Sequence, residues 1–189
     1  IKSRFAGIEP AVTVIATTSI SLKLHGGAAE IEIRKPNSAA LKNGLKNLER
    51  HIENMKSFGQ AVIVGYNRYD FDGAEEIAMV KDWCAAHGTR FALNDGYARG
   101  GEGALDLANQ VIATIEKKES APLRFTYELS VKPEDKLHKV VTHIYRGKSV
   151  SFSARAKNAL ARLSGTEAEQ YPVCIAKTQY SFSQDPALV

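Results

Sequence analysis

The chain has 189 residues, 44% of them hydrophobic and 24% charged, with a formal charge of +4 at pH 7. That balance is the composition of an ordinary soluble globular protein, of a length for one domain or one domain with a smaller appendage. The charge is too small to argue for a nucleic-acid partner, and no apolar run reaches membrane-spanning length.

Cys84 and Cys174 lie far apart and have no partners at metal-ligand spacing, so free thiols in a reducing compartment are expected and no metal site is. No signal peptide or basic presequence is in view, which points to the cytoplasm. The chain begins at Ile1 rather than Met. An earlier true start is therefore expected, and a mitochondrial targeting segment ahead of it stays open.

The first element predicted is a strand over 11–16, Ala11-Val12-Thr13-Val14-Ile15-Ala16, a continuously apolar, β-rich run of the kind buried on both faces in a parallel sheet. Leu41, Leu45, Leu48, Ile52 and Met55 then recur at intervals of three and four, which predicts a long helix over 38–58 stopped by Gly59. The run 61–66 repeats the buried-strand signature, 73–87 reads as a second helix, 91–93 as a third strand and 103–118 as a third helix. Strand and helix alternating three times predict an α/β domain, a parallel sheet with crossover helices, over 1–119. From about Ser120 the pattern changes. Residues 120–170 read as a smaller α-rich lobe with helices at 134–145 and 153–163, and 171–189 as a strand returning toward the sheet.

In such sheets ligands collect beyond the carboxyl ends of the strands, here near 16–27, 65–72 and 94–103. Three motifs sit there or return there. After the first strand comes Leu22-Lys23-Leu24-His25-Gly26-Gly27. A histidine at that place either serves a phosphate or a proton transfer, or packs structurally under the glycine turn. After the third strand comes Tyr97-Ala98-Arg99-Gly100-Gly101-Glu102-Gly103, whose glycines allow a tight turn with amides close to a docked group. The third motif is Ala176-Lys177-Thr178-Gln179-Tyr180-Ser181. Tyr69 and Tyr97 stand at equivalent places after neighbouring strands. They either hold a flat ring between them or cover the rim of the core. Asn67-Arg68-Tyr69-Asp70 echoes a guanine-reading loop, with an ordinary strand-to-helix turn as the other reading. No Gly-x-x-x-x-Gly-Lys-Ser/Thr phosphate loop occurs in the chain.

With Gly44-Leu45-Lys46-Asn47-Leu48-Glu49-Arg50-His51-Ile52-Glu53-Asn54 and Pro172-Val173-Cys174-Ile175 added, the order and spacing of these blocks resemble the middle-to-late portion of formate–tetrahydrofolate ligase. The resemblance implies part of an ATP-dependent ligase that joins formate to tetrahydrofolate through formyl phosphate, giving 10-formyltetrahydrofolate. ATP, Mg2+ and tetrahydrofolate are the implied cofactors and substrates, on an incomplete P-loop NTPase-like α/β fold, in a family that assembles as homotetramers. It further implies folate stacking by Tyr69 and Tyr97. Nucleotide, phosphate or site-lining places are implied for Thr17, His25, Gly26, Gly27, Asn67, Asp72, Arg99, Gly100, Gly101, Glu102, Gly103, Lys177, Thr178 and Gln179, while no residue receives a catalytic or metal-binding role.

Several positions depart from the family pattern. Residues 16–27 run one residue longer and lack its arginine, Asp70 replaces a proline, Tyr97 a tryptophan and Arg99 a lysine. The phosphate loop is expected upstream of Ile1 and a closing segment beyond Val189. This chain by itself is expected to be inactive. The alternatives are a non-catalytic nucleotide- or folate-binding module and an inactive scaffold subunit.

Overall fold

A computed structural model describes residues 1–175 and residue 182. Three strands, β1 (Thr13–Thr17), β2 (Val62–Asn67) and β3 (Arg90–Asn94), pair in parallel in the order β1-β2-β3. The register sets Thr17 beside Tyr66 and Asn67 beside Asn94, so all three strands end at one edge.

Helices cover both faces, which makes the arrangement α/β. In chain order the helices are α1 (Lys2–Ala6), α2 (Ser19–His25), α3 (Ser38–Ser57), α4 (Ala74–Ala86), α5 (Gly96–Arg99), α6 (Leu105–Glu116), α7 (Pro133–His143) and α8 (Ala154–Ala161). On one face Leu41, Leu45, Leu48 and Ile52 of α3 join Val80 and Cys84 of α4 against Val62, Val64 and Tyr66 of β2. A fully buried aliphatic side chain contributes about 1.5–3 kcal/mol, so the α3 stripe is a principal support of the sheet. The other face belongs to α6. Gly65 presents no side chain there, and the space is taken by Val14 of β1 and Leu107 of α6.

The free edge of β3 is closed by side chains of α6. Asp106 accepts from the Leu93 amide at 3.1 Å, and Gln110 donates to the Phe91 carbonyl at 2.8 Å. An edge paired in this way offers no ladder to another strand.

Pro10–Leu123 form one compact unit. The second unit brings Ile1–Glu9 together with the described residues from Arg124 onward, whereas the composition change placed a boundary near 120 and left the first residues with the sheet. Arg4 of α1 accounts for the difference. Its guanidinium lies 4.2 Å from the centre of the Phe125 ring and donates to the Tyr127 carbonyl at 2.6 Å. The strand expected over 171–189 does not form in 171–175, the described residues at its start. The Tyr127 hydroxyl occupies both backbone groups of Val173 instead, accepting from its amide at 3.0 Å and donating to its carbonyl at 3.2 Å. Nearby, the buried Lys136 of α7 donates to the carbonyls of Glu169 and Tyr171, at 2.6 and 3.1 Å.

Candidate functional site

The carboxyl edge of the sheet is built from three connections. The first leaves β1 and enters α2. Thr18 caps the helix: its hydroxyl accepts from the Ser21 amide, and Ser21 Oγ accepts in return from the Thr18 amide. Such reciprocal capping satisfies two amides left open at a helix start. Thr17 is buried beside this cap, its hydroxyl 3.4 Å from Ser21 Oγ.

At the other end of α2, His25 is followed by Gly26, and this glycine serves packing. A Cβ on it would lie 1.7 Å from the Ala40 carbonyl oxygen of α3. Gly27 adopts φ of 90°, a left-handed conformation that side chains disfavour. Burial lowers the pKa of His25, and burial followed by the charge of His25 lowers that of His51. Both imidazoles are therefore held toward the neutral form in the folded chain. Unfolding restores the ordinary value near 6.5, so the unfolded chain takes up more protons below that pH. Stability is expected to be complete above 6.5 and to fall as the pH drops toward the lowered folded values. Urea midpoints at pH 7.5 and 5.5 check this, with the His25→Asn/His51→Asn variant losing part of the difference.

The second connection follows β2 and is a closed turn over 69–72. The Asp72 amide donates to the Tyr69 carbonyl at 3.1 Å, and Asp72 Oδ2 accepts from the Tyr69 amide at 2.9 Å. Its other oxygen accepts from the hydroxyl of Ser19, which ties the turn to α2. Asp72 is buried, and both of its oxygens are committed. It closes the turn from within. Its charge adds to burial in pushing the pKa of the neighbouring Tyr66 phenol upward.

The same turn brings Phe71 under Tyr69. The rings stack with centroids 5.1 Å apart and planes 11° apart, and Tyr69 remains 40% exposed. Arg34 lies over Phe71 at 5.9 Å. Neither Phe71 nor Arg34 stood out in the sequence, although two aromatics at i and i+2 across a turn were the available signal. Asn67 accepts from Asn94 at 2.8 Å, which links the ends of β2 and β3. Arg68 pairs with Asp95 at 3.2 Å, so the long cation that a guanine-reading loop would lay along a base is engaged with its neighbour.

The third connection is α5 and a tight turn over 100–104. Tyr97 is fully exposed on α5, so its ring and that of Tyr69 do not cover each other. Gly100 has φ 56° and ψ −139°, a region open essentially to glycine. Gly103 closes the loop on Asp95: its carbonyl accepts from the Asp95 amide at 3.0 Å, and a Cβ there would lie 2.3 Å from the Asp95 carbonyl oxygen. Gly101 faces open space, and Arg99 and Glu102 form an exposed pair at 3.9 Å. Lys177, Thr178 and Gln179 lie outside the described residues. Among those described, no three His, Cys, Asp or Glu side chains converge to hold a metal ion, and no helix is long and apolar enough to cross a membrane.

Comparison with known proteins agrees with the motifs at these strand ends. The family model described as formate–tetrahydrofolate ligase matches residues 1–189. The chain is similar to the protein of that name from Parabacteroides distasonis, 50% identical over 98% of this chain, and to that from Porphyromonas gingivalis, 47% identical over 98%. Similarity extends to the Staphylococcus aureus protein of the same name, 42% identical over 100% of this chain. In each case the match covers 34% of the relative, so the chain spans about a third of the length of these curated relatives. With its whole length matched, the chain belongs to the formate–tetrahydrofolate ligase family.

Proposed function

We propose that the strand ends of this chain form the pterin-binding wall of a ligase that uses ATP to join formate to tetrahydrofolate, by way of formyl phosphate, giving 10-formyltetrahydrofolate. The observation that carries the reading is the ring of Tyr69, partly exposed at the end of the central strand and fixed by the 69–72 turn. A planar heteroaromatic ring stacks on such a surface, and the fully exposed Tyr97 after the neighbouring strand would supply the second aromatic face. The names of the relatives supply the identity of the ligand.

ATP and Mg2+ enter this reading through the family. Among the described residues no three His, Cys, Asp or Glu side chains converge on a metal ion, and the sequence has no phosphate loop. We assign phosphate chemistry to parts of the longer protein outside this chain, and to this chain the binding and orientation of the folate ring. Assembly into a homotetramer belongs to the same proposal.

Calorimetric titration of the chain with tetrahydrofolate tests the assignment. One aromatic stacking contact contributes about 0.5–1.5 kcal/mol, so Tyr69→Ala is expected to raise Kd by up to roughly tenfold. The Tyr69→Ala/Tyr97→Ala variant should bind more weakly still. Unchanged affinity in the double variant overturns the assignment.

A further inference from the structure

The Tyr69 ring has two faces, and the structure uses one of them internally. Phe71 lies parallel to it at 5.1 Å, and the guanidinium of Arg34 lies over Phe71 at 5.9 Å. Tyr69 and Arg34 thus both lie against the Phe71 ring. Rings at i and i+2 are brought onto the same side by the 69–72 turn, which Asp72 closes from within and Ser19 anchors from α2. Tyr69 still exposes 40% of its surface, so a flat ligand meets the face that Phe71 leaves open.

An aromatic side chain at a loop tip ordinarily samples several rotamers, and a ligand that stacks on it must first select one. A second ring behind it removes that selection before binding. It also fixes on which side of Tyr69 the ligand lies. We propose that Phe71 is a positioning residue, which backs Tyr69 and presets its free face as the platform for the pterin ring. The inference rests on the reading of Tyr69 as the folate-stacking residue. It goes further in naming the residue that orients Tyr69 and the ring face available to the ligand.

The experiment is calorimetric titration of the 189-residue chain with tetrahydrofolate, comparing Phe71→Ala, Phe71→Tyr, Tyr69→Ala and the Tyr69→Ala/Phe71→Ala pair. Phe71→Ala is expected to raise Kd roughly three- to tenfold, the cost of immobilising one side chain on binding. Phe71→Tyr, which keeps the ring, should bind like the unaltered chain. In the Tyr69→Ala background, Phe71→Ala should add nothing, because Phe71 acts through Tyr69. Phe71→Leu keeps the apolar volume without the planar face and replaces the alanine variant if that one unfolds. Unaltered affinity in Phe71→Ala, beside weakened binding in Tyr69→Ala, overturns this inference and leaves the folate reading standing. A Phe71 effect that persists undiminished without Tyr69 also overturns it. No binding by the unaltered chain, or no loss in Tyr69→Ala, removes both.

Discussion

Replacing Glu76 with alanine is expected to destabilise the Pro10–Leu123 unit by about 3–5 kcal/mol, the usual cost of leaving a buried charge without its partner. Lys23 of α2 is buried, and its ammonium lies 2.7 Å from Glu76 Oε2 of α4. It also donates to the Lys35 carbonyl at 2.9 Å, while Glu76 Oε1 accepts from the Asn37 amide at 2.7 Å, just before α3. One carboxylate thus ties together α2, α4 and the start of α3. Its removal strands a buried ammonium and a backbone donor at once. Equilibrium urea unfolding measures the loss. A Lys23→Met/Glu76→Leu variant should recover the part due to the stranded ammonium, while the Asn37 amide stays without its acceptor. A loss below about 1 kcal/mol in Glu76→Ala, within the range of exposed ion pairs, would show that the pair is not what holds these helices.

Gly44→Ala is the second large effect, and its sign opposes helix propensity. Exchanging glycine for alanine inside a helix ordinarily gains up to about 1 kcal/mol. Here a Cβ at position 44 of α3 would lie 1.8 Å from the Leu22 carbonyl oxygen of α2, and Gly26 faces the Ala40 carbonyl just as closely from the other side. Both obstacles are backbone, so no side-chain rotation relieves them and the helices must separate. Overpacking of this kind costs about 1–3 kcal/mol or more, which outweighs the propensity gain. The expected result is a lower unfolding midpoint. Because α2 also carries the Ser19 anchor of Asp72, weaker folate binding should accompany it. A stabilised Gly44→Ala variant would mean that α2 and α3 do not meet through these glycines.

Much of the architecture was legible before any coordinates. The stripe of Leu41, Leu45, Leu48 and Ile52 defines the buried face of α3, and the apolar runs define β1 and β2. These are local signals, in which the period of apolar residues follows directly from helix and strand geometry. Helix α2 was less visible, because Ser19 and Lys23 are polar residues on its buried side. Residues 171–175 were read as the start of a strand and form none, because an apolar, β-branched stretch reports burial without reporting pairing. Tyr127, 46 positions away from Val173, takes its hydrogen bonds.

The candidate site divides in the same way. Its motifs, their order and the family they belong to follow from the sequence alone, since motif spacing is a property of the chain. The roles within those motifs do not. The sequence left Tyr69 either holding a flat ring with Tyr97 or covering the core rim; the fold adds a stack on Phe71, two positions away, because the Asp72 turn curls the backbone between them. The resemblance implied a site-lining place for Gly26, and the approach of α3 gives this glycine a packing contact that only the fold shows. Nothing local marks Lys23 as buried, and only the fold sets Glu76, 53 positions later, against it. The sequence by itself determined the layers and the family. Tertiary structure alone decided which residue touches which, because ring stacking, helix contact and buried charge pairing depend on distances that only the folded chain sets.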